Sequence, residues 1–190
     1  MPKVLLINGS PRPNGNTFHM LTWLKNHLEE NKLEVELYQI AGKKINLCTG
    51  CYSCIKTGKC VQQEEDYVEI CQKIVEADAV VFGTPTYNTS ITMQLKILLD
   101  RVGMSIGGQL KRKIGTVITT AERDGAILAF DTVVNWMAFY GMYIVTGFYW
   151  NDGYCPDMLS KDGVENDQMA KKSMKILSEN LTYIIEKFQN

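Results

Sequence analysis

At 190 residues, with 45% hydrophobic and 22% charged positions, the chain has the make-up of a globular protein with one sizeable core. Lys and Arg number 20 against 21 Asp and Glu, a net charge of −1, and no polybasic run occurs, which argues against nucleic acid or an anionic membrane as the main partner. Met1-Pro2-Lys3 followed by Val4 to Ile7 is too short an apolar run for a signal peptide or a membrane span, so a cytoplasmic protein is expected.

Val4-Leu5-Leu6-Ile7 is a continuous apolar run closed by Asn8-Gly9-Ser10, the pattern of a strand buried on both faces. A Gly/Pro/Asn-rich loop leads to residues 17–30, where Phe18, Leu21, Leu24 and Leu28 have helical spacing. Residues 34–38 alternate, with Val35 and Leu37 on one face, and predict an edge strand. A cysteine-rich loop follows, then a helix over 67–76 marked by Val68, Cys71, Ile74 and Val75. Residues 79–82 are a second fully apolar strand, ended by Gly83-Thr84-Pro85.

Further helices are predicted over 93–102, 126–140 and 168–188, and further strands over 114–119 and 143–148. Gly141 is placed to end the helix before it. Strands thus alternate with helices five times, which calls for a parallel sheet covered on both faces. Five short strands favour an α/β flavodoxin-like, doubly wound sheet of order 2-1-3-4-5 over a closed barrel, which needs more chain. The whole of 1–190 is expected to be one such domain, with residues 151–167 a surface loop or lid.

In open α/β sheets ligands bind beyond the carboxyl ends of the strands. The loop after the first strand, Gly9-Ser10-Pro11-Arg12-Pro13-Asn14-Gly15-Asn16-Thr17, lacks the GxGxxG spacing of a dinucleotide fold and the Gly-Lys-Ser/Thr of a P-loop. Ser10, Arg12, Asn16 and Thr17, with the amides of the following helix, suit a terminal phosphate monoester. A turn that merely caps the helix through Asn16 or Thr17 is the alternative.

Gly9-Ser10-Pro11-Arg12 with Gly15-Asn16-Thr17 resembles the phosphate loop of the NADPH-dependent FMN reductase and iron–sulfur flavoprotein families. Thr84-Pro85-Thr86-Tyr87-Asn88 resembles their Pro-x-Tyr loop, and Leu95-Lys96 through Leu99-Asp100-Arg101 resembles the helix after it. The resemblance implies bound FMN, its phosphate held by the first loop (Ser10, Arg12, Asn14, Asn16, Thr17) and its ring packed beside Pro85, Thr86, Tyr87 and Asn88. The segment after the fourth strand, Thr119-Thr120-Ala121-Glu122-Arg123-Asp124-Gly125, departs from the family pattern: it keeps an arginine but few of the glycines. Thr120, Ala121, Arg123 and Gly125 are carried over as flavin contacts. Crowding of the ring by side chains is expected there, with a surface salt bridge the alternative for Glu122 and Arg123.

Cys48-Thr49-Gly50-Cys51-Tyr52-Ser53-Cys54 is two overlapping C-x-x-C steps, with Cys60 after five intervening residues. Thiolates at this spacing can converge on one face of a curled loop and complete the ligation of a cubane. The spacing differs from that of two-cluster bacterial ferredoxins, because the last gap is longer and Val61 follows Cys60. It resembles the compact motif of the iron–sulfur flavoproteins, which implies one [4Fe–4S] cluster on Cys48, Cys51, Cys54 and Cys60. Structural zinc, a dithiol or sulfenic-acid sensor built on Cys51 and Cys54, and a merely packed loop remain as alternatives.

Cys71 is read as a core thiol and Cys155 as an incidental one. His19 and His27 receive no role. Trp136, Phe139 and Tyr140 are assigned to core or a subunit interface, and Tyr149-Trp150 is left between substrate and partner contact. The resemblance implies single electrons from a ferredoxin-type donor, and a homodimer or homotetramer. The rivals are a cluster-free NAD(P)H-dependent FMN or quinone reductase and a non-catalytic electron carrier or redox sensor.

Overall fold

The computed structural model describes residues 1–157 and 159–189. Its strands β1 (Lys3–Asn8), β2 (Glu34–Gln39), β3 (Ala79–Pro85), β4 (Ile114–Ala121) and β5 (Tyr143–Ile144) form a parallel sheet in the order β2-β1-β3-β4-β5. This is the flavodoxin-like order expected from the alternation of elements. β2, at the edge, is the one long strand that is only half buried, whereas β4 is buried at every position.

Alternation along each buried strand feeds two cores. Leu5 and Ile7 of β1, with Val80 and Phe82 of β3, pack under α3 (Glu65–Glu76), α4 (Met93–Ile106) and α5 (Ala126–Phe139). Val4, Leu6, Ala79 and Val81 face the other way, onto α1 (Asn16–Glu30) and α6 (Gln168–Gln189). Two adjacent residues of one strand therefore serve opposite layers, which is why these strands read as unbroken apolar runs. The short α2 (Ser53–Thr57) lies within the cysteine loop, between the left-handed Tyr52 and Gly58.

The fifth position differs from the expected strand over 143–148. β5 stops at Ile144, and a separate strand β6 (Asp152–Tyr154) resumes the pairing farther along β4, opposite Thr119–Ala121. Between them Tyr149, Trp150 and Asn151 are left-handed, with φ of 55°, 50° and 53°. The fully buried Asn151 side chain stands in for the missing ladder: it accepts from the Gly147 amide at 2.8 Å and donates to the Val117 carbonyl at 3.0 Å and the Thr116 hydroxyl at 3.1 Å. β6 takes the first residues of what the sequence presents as a loop.

Among the described residues no helix is long and apolar enough to cross a membrane. Trp136 belongs to the core, edge-on to Phe82, while Phe139 is exposed. His19 pairs with Glu165 at 2.9 Å and His27 with Glu30 at 3.2 Å, both at the surface.

Candidate functional site

A cleft of about 460 Å³ opens at the carboxyl ends of β1, β3 and β4, a size within the roughly 300–1,000 Å³ of ligand pockets. Its first wall is the loop after β1. Gly9 makes the close crossing there: its amide donates to the Gly83 carbonyl at 2.7 Å, and a Cβ on it would meet that oxygen at 2.8 Å. Asn8 fixes the turn, accepting from the Ser10 amide at 3.1 Å while its own amide reaches Gln39 at 2.6 Å. The Ser10 hydroxyl then accepts from the Arg12 amide. Gly15 precedes α1 as its cap and offers no side-chain acceptor, so the first-turn amides end the loop as donors.

The second wall is a tight turn after β3. The Tyr87 and Ser90 backbones bond each other at 2.8 and 3.0 Å, with Asn88 and Thr89 between them both left-handed. The third is the end of β4. Thr120 faces Thr17, their hydroxyls 2.9 Å apart and buried, and the Thr120 carbonyl accepts from the Thr86 amide at 2.7 Å.

Of the residues singled out from the sequence, the cleft gathers Ser10, Arg12, Asn16, Thr17, Pro85, Thr86, Tyr87, Asn88, Thr120 and Ala121. Asn14 and Arg123 are exposed and lie outside the lining, as does Gly125. Gly125 serves instead as the left-handed cap of α5, packed against Thr86 and Thr89. Arg123 and Asp124 are exposed while Glu122 lines the cleft, and among the described residues neither Glu122 nor Arg123 forms an ion pair. Asn16 lines the cleft with both ends of its amide engaged: it accepts from the Val164 amide at 2.9 Å and donates to the Ser160 carbonyl at 3.2 Å, tying down the segment after β6.

Gly15, Glu122 and Cys155 also line the cleft. Cys155 corrects its reading as incidental. It is 5% exposed, its amide continues the β6 pairing onto the Ala121 carbonyl at 2.8 Å, and burial followed by the charge of Asp167 pushes its thiol up to about 12. No local signal marks it, since only the split fifth strand brings it to the cleft.

The four cysteines of the loop, Cys48, Cys51, Cys54 and Cys60, all face one small hollow whose far side is Arg101, Met104 and Ser105 of α4. All are free thiols, with Cys48 and Cys51 exposed. Among the described residues no three Cys, His, Asp or Glu side chains converge closely enough to hold a single metal ion. A cubane, however, carries its thiolates on separate irons, so four thiols spaced around a hollow fit it better than one point of convergence would. Hydrogen bonds from the Ser53 backbone, then from the Ser53 and Thr49 side chains, lower the Cys51 thiol, and the thiolate is the ligating form.

The loop is clamped by its acidic flank. Glu64 accepts from the Asn46 amide at 3.0 Å and from both terminal nitrogens of Arg101, and Asp66 accepts from the Lys44 amide at 2.7 Å. Burial opposes the charge of Glu64, yet the Arg101 hydrogen bond and two backbone amides outweigh it and hold the carboxyl below its ordinary range. Arg101 went unassigned in the sequence beyond its place in a resembling helix. The available signal was a cation among Leu98, Leu99 and Val102, since a buried arginine requires a partner.

The NADPH-dependent FMN reductase family model matches residues 2–157. An iron–sulfur flavoprotein of Methanocaldococcus jannaschii is 40% identical over 65% of this chain, and the match spans just under two thirds of that protein, 64%. One of Clostridioides difficile is 30% identical over 98% of this chain and 81% of its own length. Among solved structures, the flavoenzyme NAD(P)H:(acceptor) oxidoreductase FerB of Paracoccus denitrificans has the same fold, with a TM-score of 0.70 and 23% identity over 98% of each chain.

Proposed function

Because the chain belongs to the iron–sulfur flavoproteins of the NADPH-dependent FMN reductase superfamily, a group of flavin-dependent oxidoreductases, we propose that it binds FMN in the cleft and a [4Fe–4S] cluster on Cys48, Cys51, Cys54 and Cys60. It would exchange electrons between a one-electron donor such as a ferredoxin and an acceptor. FMN, when bound, accepts one or two electrons and the cluster one, so the pair supports conversion between single-electron and two-electron partners.

The observation that carries this reading is that one helix fastens both places. Thr92, the cap of α4, donates to the Gly9 carbonyl in the cleft at 2.7 Å, and about two and a half turns later Arg101 donates to Cys60 Sγ at 3.3 Å. In the cleft the chain's own work is binding and orientation. Ser10, Arg12, Thr17 and the first amides of α1 suit the phosphate, and Pro85 to Asn88 would flank the ring. At the hollow the cysteines supply ligands and Arg101 holds the loop against α4.

The second reading, a cluster-free NAD(P)H-dependent FMN or quinone reductase, is favoured by the match of residues 2–157 to the NADPH-dependent FMN reductase family model. Iron, acid-labile sulfide and FMN in protein purified without oxygen separate the two. About four irons per chain support the cluster; FMN without iron after anaerobic reconstitution selects the reductase.

A further inference from the structure

Arg101 lies in the apolar face of α4 with 1% of its surface exposed. Its ion-pair partner among the described residues is Glu64, with Oε1 3.0 Å from Nη1 and Oε2 3.0 Å from Nη2, and the Tyr67 ring centroid sits 3.6 Å from the guanidinium. Nη1 also donates to the Asn46 carbonyl at 3.1 Å and Nη2 to the Gln62 carbonyl at 2.9 Å. A guanidinium that only braced the loop would need no more than these oxygens. Nη2 instead reaches Cys60 Sγ as well, at 3.3 Å, while Nε is buried without a hydrogen-bond partner. Glu64 makes its own hydrogen bonds to Arg101 and the Asn46 amide, and to no cysteine.

We propose that Arg101 is a positioning residue for the fourth cysteine that raises the reduction potential of a cluster bound through Cys60, with Glu64 as the opposing charge. The inference rests on the cluster reading above. Reduction adds negative charge to an iron–sulfur centre, and a hydrogen bond to a ligand sulfur or a cation buried beside it favours that state. Here one buried side chain supplies both, reaching a half-buried sulfur. The carboxylate of Glu64 fixes the fork and partly offsets its charge, so the two partners act on the potential with opposite sign.

The experiment is a reductive titration of anaerobically purified protein, followed by the cluster's absorbance and paramagnetic resonance, with iron per chain measured on the same samples. Arg101→Gln is expected to shift the potential down and Glu64→Gln to shift it up. Arg101→Lys, which keeps the charge but not the planar fork, is expected to fall between Arg101→Gln and the parent. A parent protein that holds FMN but no iron sinks the cluster reading and this inference together. A parent that holds iron, with its potential unmoved in both glutamine variants, overturns this inference alone. Equal loss of iron in all three variants would make Arg101 a brace and overturn it too.

Discussion

The hydroxyls of Thr17 and Thr120 lie 2.9 Å apart, joining the first turn of α1 to the end of β4 at the wall of the cleft. One must donate to the other, so the pair retains a single hydroxyl hydrogen for a ligand. Thr17→Val removes the member beside the helix amides and leaves Thr120 without its partner. A hydrogen bond to a charged group is worth about 1.5–3 kcal/mol, so FMN affinity is expected to fall by roughly ten- to a hundredfold. Quenching of FMN fluorescence on binding measures it, and an unchanged affinity would move the phosphate away from this wall.

Thr92 has a double duty that a stability measurement can expose. Its buried hydroxyl accepts from the Leu95 amide at 3.3 Å as the α4 cap and donates to the Gly9 carbonyl at 2.7 Å. Thr92→Val keeps the volume and loses both bonds, a cost of about 2 kcal/mol. For a chain of this size the melting temperature should drop by roughly 4–8 °C. Because the Gly9 carbonyl belongs to the cleft, FMN should rescue less of that loss than it does for an equally destabilising change in α6.

What the sequence displays and what it hides follow from how far each signal reaches. Val4 to Ile7 and Ala79 to Phe82 are buried on both faces by contacts any central strand makes, so their apolar runs declare them. The loops after β1 and β3 were legible because Gly9, Pro85 and Asn88 meet local backbone demands. Arg101 was harder, since its meaning lies in Glu64 and Cys60, far off along the chain. The strand expected over 143–148 failed for a related reason. Its β-branched and aromatic residues satisfy strand propensity, but the ladder ends at Ile144, and the Gly147 and Phe148 amides donate instead to the side chains of Asn151 and Ser173, ahead of the left-handed residues 149–151.

Cys155 gives the protein a pH dependence of definite sign. The folded state holds its thiol at about 12, against an ordinary value of 9.0, because of burial and then the charge of Asp167. The folded form thus keeps a proton that the unfolded chain gives up. Its contribution to stability is complete below pH 9, and it is lost as the pH rises towards 12. In iron-free protein at pH 8, iodoacetamide should label the exposed Cys48 and Cys51 first and Cys155 only on unfolding. Peptide mass mapping reads the order, and Cys155→Ala should flatten the fall in urea midpoint between about pH 9 and 11. Early labelling of Cys155 would mean that the β6 wall opens in the native state.

Asn151 is the residue on which that wall depends. With its side chain replaced by alanine, the Gly147 amide, the Val117 carbonyl and the Thr116 hydroxyl all lose a buried partner. The expected cost is about 3 kcal/mol, a fall of roughly 6–12 °C in melting temperature. Asn151→Gly separates the two effects present at the site. Glycine relieves the left-handed φ of 53° but makes none of the three bonds. If the bonds dominate, both variants lose similar stability, and hydrogen exchange quickens over residues 147–155 while β1 and α3 stay protected. If glycine restores the parent's stability, backbone strain rather than the amide network governs the split strand.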